Sequence, residues 1–169
     1  KTLTMSTLRR FLEMDYRHPG DTSRQQELFR GLKVTEDREF CEEHMGRYPV
    51  VSLSLKGVKG TGFVEAYRSL AGTISKLAQD FRWLDGPELE EDERDFLNML
   101  IKYKYLRDPA CIDYVGQSLS FLCRLLRKRF SNGRKPVLLV DEYDVPLQKA
   151  AVGGYYEPMS ELIGSLLGD

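Results

Sequence analysis

Cysteine is scarce in this 169-residue chain: Cys41, Cys111 and Cys123 are three thiols, an odd number and widely spaced. A chain of this size does not need disulfide staples, so the pattern argues against a secreted disulfide framework and for a reducing, cytosolic setting. It also argues against structural zinc. Cys41 and His44 would share a helix face, but no second pair of ligands stands nearby to complete a tetrahedral set. Net charge is nearly absent as well, since 25 Lys and Arg against 26 Asp and Glu leave −1. That excludes a global pull toward nucleic acid or an anionic membrane and leaves only local basic patches. No apolar run reaches the roughly 18 residues of a membrane span, and no charged start, apolar middle and small-residue cleavage site marks a signal peptide. Internal repeats, low-complexity linkers and an NKxD-type guanine-reading motif are also missing. What remains is 41% hydrophobic and 30% charged residues, ordinary for a globular chain with a sizeable core.

The informative stretch is PVLLVDEYD, residues 136–144. Val137, Leu138, Leu139 and Val140 are apolar at successive rather than alternating positions, which predicts a parallel strand covered on both faces. Asp141 and Glu142 then fall at its C-terminal edge, where open α/β sheets bind ligands. An acid pair placed there has the form of the Walker B strand of nucleotide triphosphatases, whose Asp serves Mg²⁺ and whose Glu polarises the attacking water. Lys1 and Thr2 open the chain directly before LTMSTLRRFLEMDY, in which Leu3, Met5, Leu8, Phe11 and Leu12 recur near helical spacing. Lys-Thr opening a helix is how a phosphate loop GxxxxGK[ST] ends. There the Lys reaches the β- and γ-phosphates and the Thr hydroxyl ligates Mg²⁺.

Between these ends the elements alternate. RHPGDTS at 17–23 reads as a loop, 24–30 as a short helix, and 36–45 as a helix with acids in its first turn and Gly46 as its stop. YPVVSLSLKG at 48–57 predicts a second strand through Val50, Val51, Leu53 and Leu55. From Phe63, the apolar residues Ala66, Tyr67, Leu70, Ile74, Leu77, Ala78 and Phe81 mark a long amphipathic helix. The charged section 85–109 predicts a helix over 89–105 and breaks the alternation, so it reads as an insertion. Tyr103 and Tyr105 beside Lys102 and Lys104 are equally readable as one helix end or as a contact for a partner or nucleic acid. A helix over 113–130 follows, with cations in its last turns opposing the negative end of its dipole.

The runs ELFRGLKV (27–34), FCEEHMGRYPVVSLSLKGV (40–58) and KPVLLVDEYDVPLQKA (135–150) are similar to the AAA-ATPase-like family of bacterial and archaeal ATPases. GYYEPMSELIGSLL (154–167) resembles the segment that follows the acidic strand there, so the resemblance spans nearly the whole chain. In that family an arginine-rich phosphate loop of the form RRFGK[ST] precedes the first helix, which implies that Lys1 and Thr2 are its last two residues. The resemblance implies a partial three-layer α/β P-loop NTPase core over 1–169, made of the phosphate-loop helix, a second strand, a helical insertion at about 85–110 and the Walker B strand. The first and later strands would lie outside it, and the chain reads as an internal fragment of a larger protein. Many relatives carry a C-terminal domain resembling PD-(D/E)XK nucleases, which makes such a domain an implied partner. A segment of this kind is expected to be marginally stable alone and to expose apolar sheet edges.

The implied activity is ATP binding and hydrolysis with Mg²⁺, serving a switch or a motor. Lys1 would neutralise phosphate, Thr2 and Asp141 would hold the metal, and Glu142 would orient the water. The choice of ATP over GTP rests on the resemblance. Asp144 reads as a cap of the turn before Pro146, or else as reaching a sensor or a neighbouring domain. Arg134 and Lys135 precede the strand, at the wrong end for phosphate, and Arg9 and Arg10 lie about two to three turns into the first helix, facing solvent or an adjoining element, so no arginine here reads as a finger. Two other classes remain. One is a module that binds nucleotide or a partner without hydrolysing. The other is a metal-dependent nuclease or phosphatase built on Asp141, Glu142 and Asp144, which needs a further ligand nearby.

Overall fold

The computed structural model describes residues 2–130 and 133–168. The structure is mixed α/β and mostly helical, and the described residues contain one two-stranded sheet. In chain order the elements are α1 (Thr2–Leu12), α2 (Ser23–Phe29), α3 (Arg38–His44), β1 (Val50–Ser54), α4 (Phe63–Asp80), α5 (Glu91–Ile101) and α6 (Tyr103–Leu106). They continue with α7 (Ile112–Gly116), α8 (Ser118–Arg129), β2 (Val137–Asp141), α9 (Val145–Gly153) and α10 (Tyr156–Leu167). The chain divides into two compact units, one of residues 1–52 with 126–139 and one of 53–125 with 140–169.

The sheet is parallel. The Val137 N–H donates to Pro49 O and the Leu55 N–H to Asp141 O, each at 2.9 Å, so the register advances in the same direction on both strands. In β1, Val50, Val51 and Leu53 are buried as their β-branched and apolar character predicts. β2 departs from expectation: Leu139 and Asp141 are buried, while Val137, Leu138 and Val140 are only half-buried. A strand at the edge of two has one neighbour, so the cover expected for a central parallel strand is incomplete among the described residues.

The first unit is built around Phe11, Phe29 and Met45, with Leu12, Val34 and Cys41 packed against them. The Phe11 ring meets Phe29 edge-on at 5.2 Å and stacks on Phe40 at 5.8 Å, geometries the aromatic quadrupole favours. α1 packs into this cluster through Phe11 and Leu12 at its C-terminal end. Leu3 and Leu8, at the same helical spacing, are 79% and 40% exposed. Past α1 the chain pairs with the segment before β1, through Gly46 N–H to Phe11 O, Tyr48 N–H to Leu12 O and Met14 N–H to Tyr48 O. Gly46 ends α3 as expected and does so at φ +65°, with Thr22 Cγ2 only 3.1 Å from where a Cβ would stand. Glycine alone takes this bend without strain.

The second unit packs α5, α6 and α10 on α4, whose buried face runs through Ala66, Tyr67, Leu70, Ala71, Ile74, Leu77 and Ala78. Two helices that the sequence reads as continuous are broken. The one expected over 89–105 starts at Glu90 with a reciprocal capping box to Glu93 and stops at Lys102, whose ψ is 85°. There the Ile101 carbonyl accepts from Ser75 Oγ at 2.8 Å and from Gln79 Nε2 at 3.2 Å, so α4 side chains satisfy a carbonyl the helix no longer uses. The one expected over 113–130 breaks at Gln117, where the buried Ser118 hydroxyl turns back onto Val115 O at 2.7 Å. Serine offers the backbone this local alternative to the helical ladder.

Candidate functional site

The turn from β2 into α9 occupies three residues, Glu142 to Asp144. Asp141 is 6% exposed, and its carbonyl is fixed by the Leu55 N–H at 2.9 Å, so its carboxylate is carried on the end of a paired strand. Glu142 has φ 57°, and among the described residues it is the sole non-glycine with positive φ. A left-handed residue with a Cβ costs about 1–2 kcal/mol, which the surrounding structure must hold in place. Tyr143 projects outward, and the Val145 N–H closes the turn onto Glu142 O at 3.2 Å. Pro146 sits in the first turn of α9, where its missing N–H is no loss.

Asp144 does not do what its position suggests. It stands at the N-cap of α9 in a right-handed helical conformation, and its side chain makes no cap bond. Oδ2 accepts from Gln148 Nε2 at 2.9 Å, one helical turn on. Oδ1 is buried without a hydrogen-bond partner among the described residues. The right-handed backbone aims the carboxylate along the helix flank rather than over the free N–H groups, which is why the capping expectation fails.

The loop after β1 is fastened to the elements after β2. Lys149 Nζ donates to Val58 O at 3.0 Å and the Tyr155 hydroxyl to Gly60 O at 2.9 Å. Beside these ties lies an open groove of about 460 Å³ lined by Gly60, Thr61, Gln148, Lys149, Val152 and Gly153. The Thr61 N–H and hydroxyl both donate to the Glu65 carboxylate, at 3.0 and 2.9 Å, and the backbone bond first of all holds its pKa below the usual glutamate value. Sequence reasoning missed Lys149, Tyr155 and this loop. The available signal was Gly60-Thr61-Gly62 directly before the long helix, a turn-rich run between a strand and a helix.

Of the residues the sequence nominates, Asp141 and Glu142 are neighbours at the β2 end. Lys1 and the Thr2 side chain lie outside the described residues. A hard oxygen donor such as the Asp141 carboxylate suits Mg²⁺, and the buried, unsatisfied Oδ1 of Asp144 leaves an acceptor at the same turn for a water or a donor group. Those features fit a nucleotide and its metal at this edge. Among the described residues no three His, Cys, Asp or Glu side chains gather as a metal-binding group.

Arg134 has a different engagement: Nη1 donates to the Tyr48 hydroxyl at 2.9 Å and its guanidinium lies 5.2 Å from the Tyr48 ring centre. His44 Nδ1 is 2.7 Å from the same hydroxyl, and Cys41 Sγ is 3.2 Å from Val34 O. Among the described residues no helix is long and apolar enough to cross a membrane.

No curated protein and no solved structure matches the chain. A family model described as a predicted AAA-ATPase matches residues 1–168. With that match covering the buried Asp141, the left-handed Glu142 and the helices on either side of them, the chain belongs to the AAA-ATPase-like family.

Proposed function

We propose that the chain is the ATP-binding and ATP-hydrolysing module of a larger protein, in which turnover drives a switch or a motor. The observation that carries this reading is the β2 end, where a buried Asp141 is followed at once by a glutamate held in the left-handed region. Strain kept in a charged residue at a sheet edge is what a positioned catalytic group looks like. Membership of the family supports the nucleotide, and the sheet with its flanking helices is read as part of a three-layer P-loop core with a helical insertion near 85–110.

In this reading Lys1 would neutralise phosphate as a point charge, and Thr2 and Asp141 would hold Mg²⁺. Bound Mg²⁺ supplies charge neutralisation at the phosphate oxygens. Glu142 would accept a hydrogen bond from the attacking water and take its proton as the oxygen bonds the γ-phosphorus and the bond from that phosphorus to the β-phosphate oxygen breaks, ADP leaving. The left-handed turn supports this role by fixing the direction in which the Glu142 side chain leaves the backbone.

The test is Glu142→Gln in the full-length protein. Amide for carboxylate keeps shape and removes the base, so affinity for a fluorescent ATP analogue should stay within about twofold and turnover should fall by about 10²-fold or more. Loss of nucleotide binding in a folded variant would refute the assignment of Glu142 to the water.

A further inference from the structure

We propose that the face formed by α6 and the middle of α4 binds single-stranded nucleic acid by stacking bases on Tyr103 and Tyr105 between flanking cations. These two tyrosines are 40% and 48% exposed. Tyr103 lies over α4 at Gly72, since a Cβ built on that glycine would be 3.5 Å from the ring. Arg68 and Lys76 are one turn before and one turn after Gly72, so α4 presents a cation on each side of the Tyr103 ring, and both are exposed. Lys102 immediately precedes α6 and Lys104 lies on it, with Tyr103 and Tyr105 on either side of Lys104 around the helix, so each ring offers its own place for a base. Lys104 Nζ lies over the Tyr105 ring, 4.5 Å from its centre, a cation–π contact that covers one ring face and leaves the other for a base.

The partner follows from charge and shape. The second unit carries eleven Lys and Arg against seventeen Asp and Glu, so a cationic strip with exposed rings is a local exception on an acidic body. The densest acids, Glu90 to Glu93, sit at the start of α5, about 15 Å along its axis from the end that joins α6. Of the nearer carboxylates, Glu65 is held by Thr61 and Asp108 accepts from the Ala110 N–H at 3.0 Å, while Asp80 lies one turn beyond Lys76. Phosphodiesters are drawn to the strip, and ring faces without a pocket suit unpaired bases, which a duplex keeps in its own stack. Neither a nucleotide nor any residue of the β2 turn takes part.

Fluorescence anisotropy of the chain with labelled dT₂₀, from 50 to 300 mM KCl and without nucleotide, tests it. Binding should weaken with salt at a log–log slope of about −0.7 for each phosphate neutralised. Lys102→Glu/Lys104→Glu should flatten that slope. Tyr103→Ala/Tyr105→Ala should weaken binding about tenfold or more at unchanged slope, while Tyr103→Phe/Tyr105→Phe, which keeps the rings, should bind like the parent. No binding at 50 mM KCl overturns the proposal. So does binding indifferent to the tyrosines, or duplex bound as tightly as single strand. Circular dichroism of each variant identifies any that has unfolded; if the alanine pair has, Tyr105→Ala alone, at the more exposed ring, decides the matter, since about fivefold weaker binding is expected of it and parental binding overturns the proposal.

Discussion

Glu142→Gly separates the stability of the β2 turn from its activity. Glu142 sits at φ 57°, where a Cβ crowds the following carbonyl at a cost of about 1–2 kcal/mol. Glycine removes that crowding but gives up more chain entropy on folding, a penalty of about 0.5–1 kcal/mol. The balance is a gain of about 0.5–1 kcal/mol. For a chain of 169 residues that corresponds to a rise of about 1–4 °C in melting temperature. Glu142→Ala keeps the Cβ and therefore the strain, so it serves as the matched control, and Glu142→Gln should melt near the parent. Thermal and urea denaturation of the three variants read the effect, with hydrolysis assayed in parallel. The expected pattern is that the glycine variant is the most stable and, like the others, inactive. If Glu142→Gly proves no more stable than Glu142→Ala, the backbone at 142 is not strained and the turn does not hold Glu142 as a positioned base.

Phe11→Ala should cost about 3–4 kcal/mol because it opens the Phe11, Phe29 and Met45 cluster, whereas Leu3→Ala, at an exposed site, should stay within about 0.5 kcal/mol; urea midpoints compare them. Burial pushes the Tyr67 hydroxyl above its ordinary value of 10.0, and it donates to Leu106 O at 2.8 Å. The folded chain therefore keeps a proton that the unfolded chain releases, so this stabilisation is complete below about pH 10 and is lost as pH rises further. Tyr67→Phe should be less stable at pH 8, by about 1–2 kcal/mol, and should lose stability less steeply between pH 9 and 11 in a pH series of thermal melts.

The long helix from Phe63 and the strand through Val50 and Leu53 were legible because their apolar residues repeat at one period over enough positions to exclude the other. The run before Asp141 was legible as a strand from its successive apolar residues, while the cover expected on both its faces is incomplete, since Val137, Leu138 and Val140 are half-buried. The breaks at Lys102 and Gln117 were not, because what ends those helices is a hydroxyl. Ser75 lies on another helix, and Ser118 turns back within its own chain segment. Local propensity records neither. The apolar spacing of α1 was legible as a helix, but periodicity alone does not say which of its residues find a partner surface: Phe11 is buried while Leu3 and Leu8 are exposed. Asp144 shows the limit at the site itself. Its residue type and its place before Pro146 both suggest a cap, and only the backbone conformation reveals that the carboxylate points elsewhere.

Several joints of this molecule share one form: Lys149 to Val58 O, Tyr155 to Gly60 O, Tyr67 to Leu106 O, and Ser75 to Ile101 O. In each, a side chain grips a carbonyl that every amino acid possesses. The two ends of such a contact are under unequal selection, because the donor must be retained while the acceptor residue is free to drift. Among relatives these contacts should therefore leave no correlated substitutions, only solitary invariant donors facing variable partners. Methods that infer proximity from paired changes would be blind to the fastenings that hold the loop after β1 against α9 and α10.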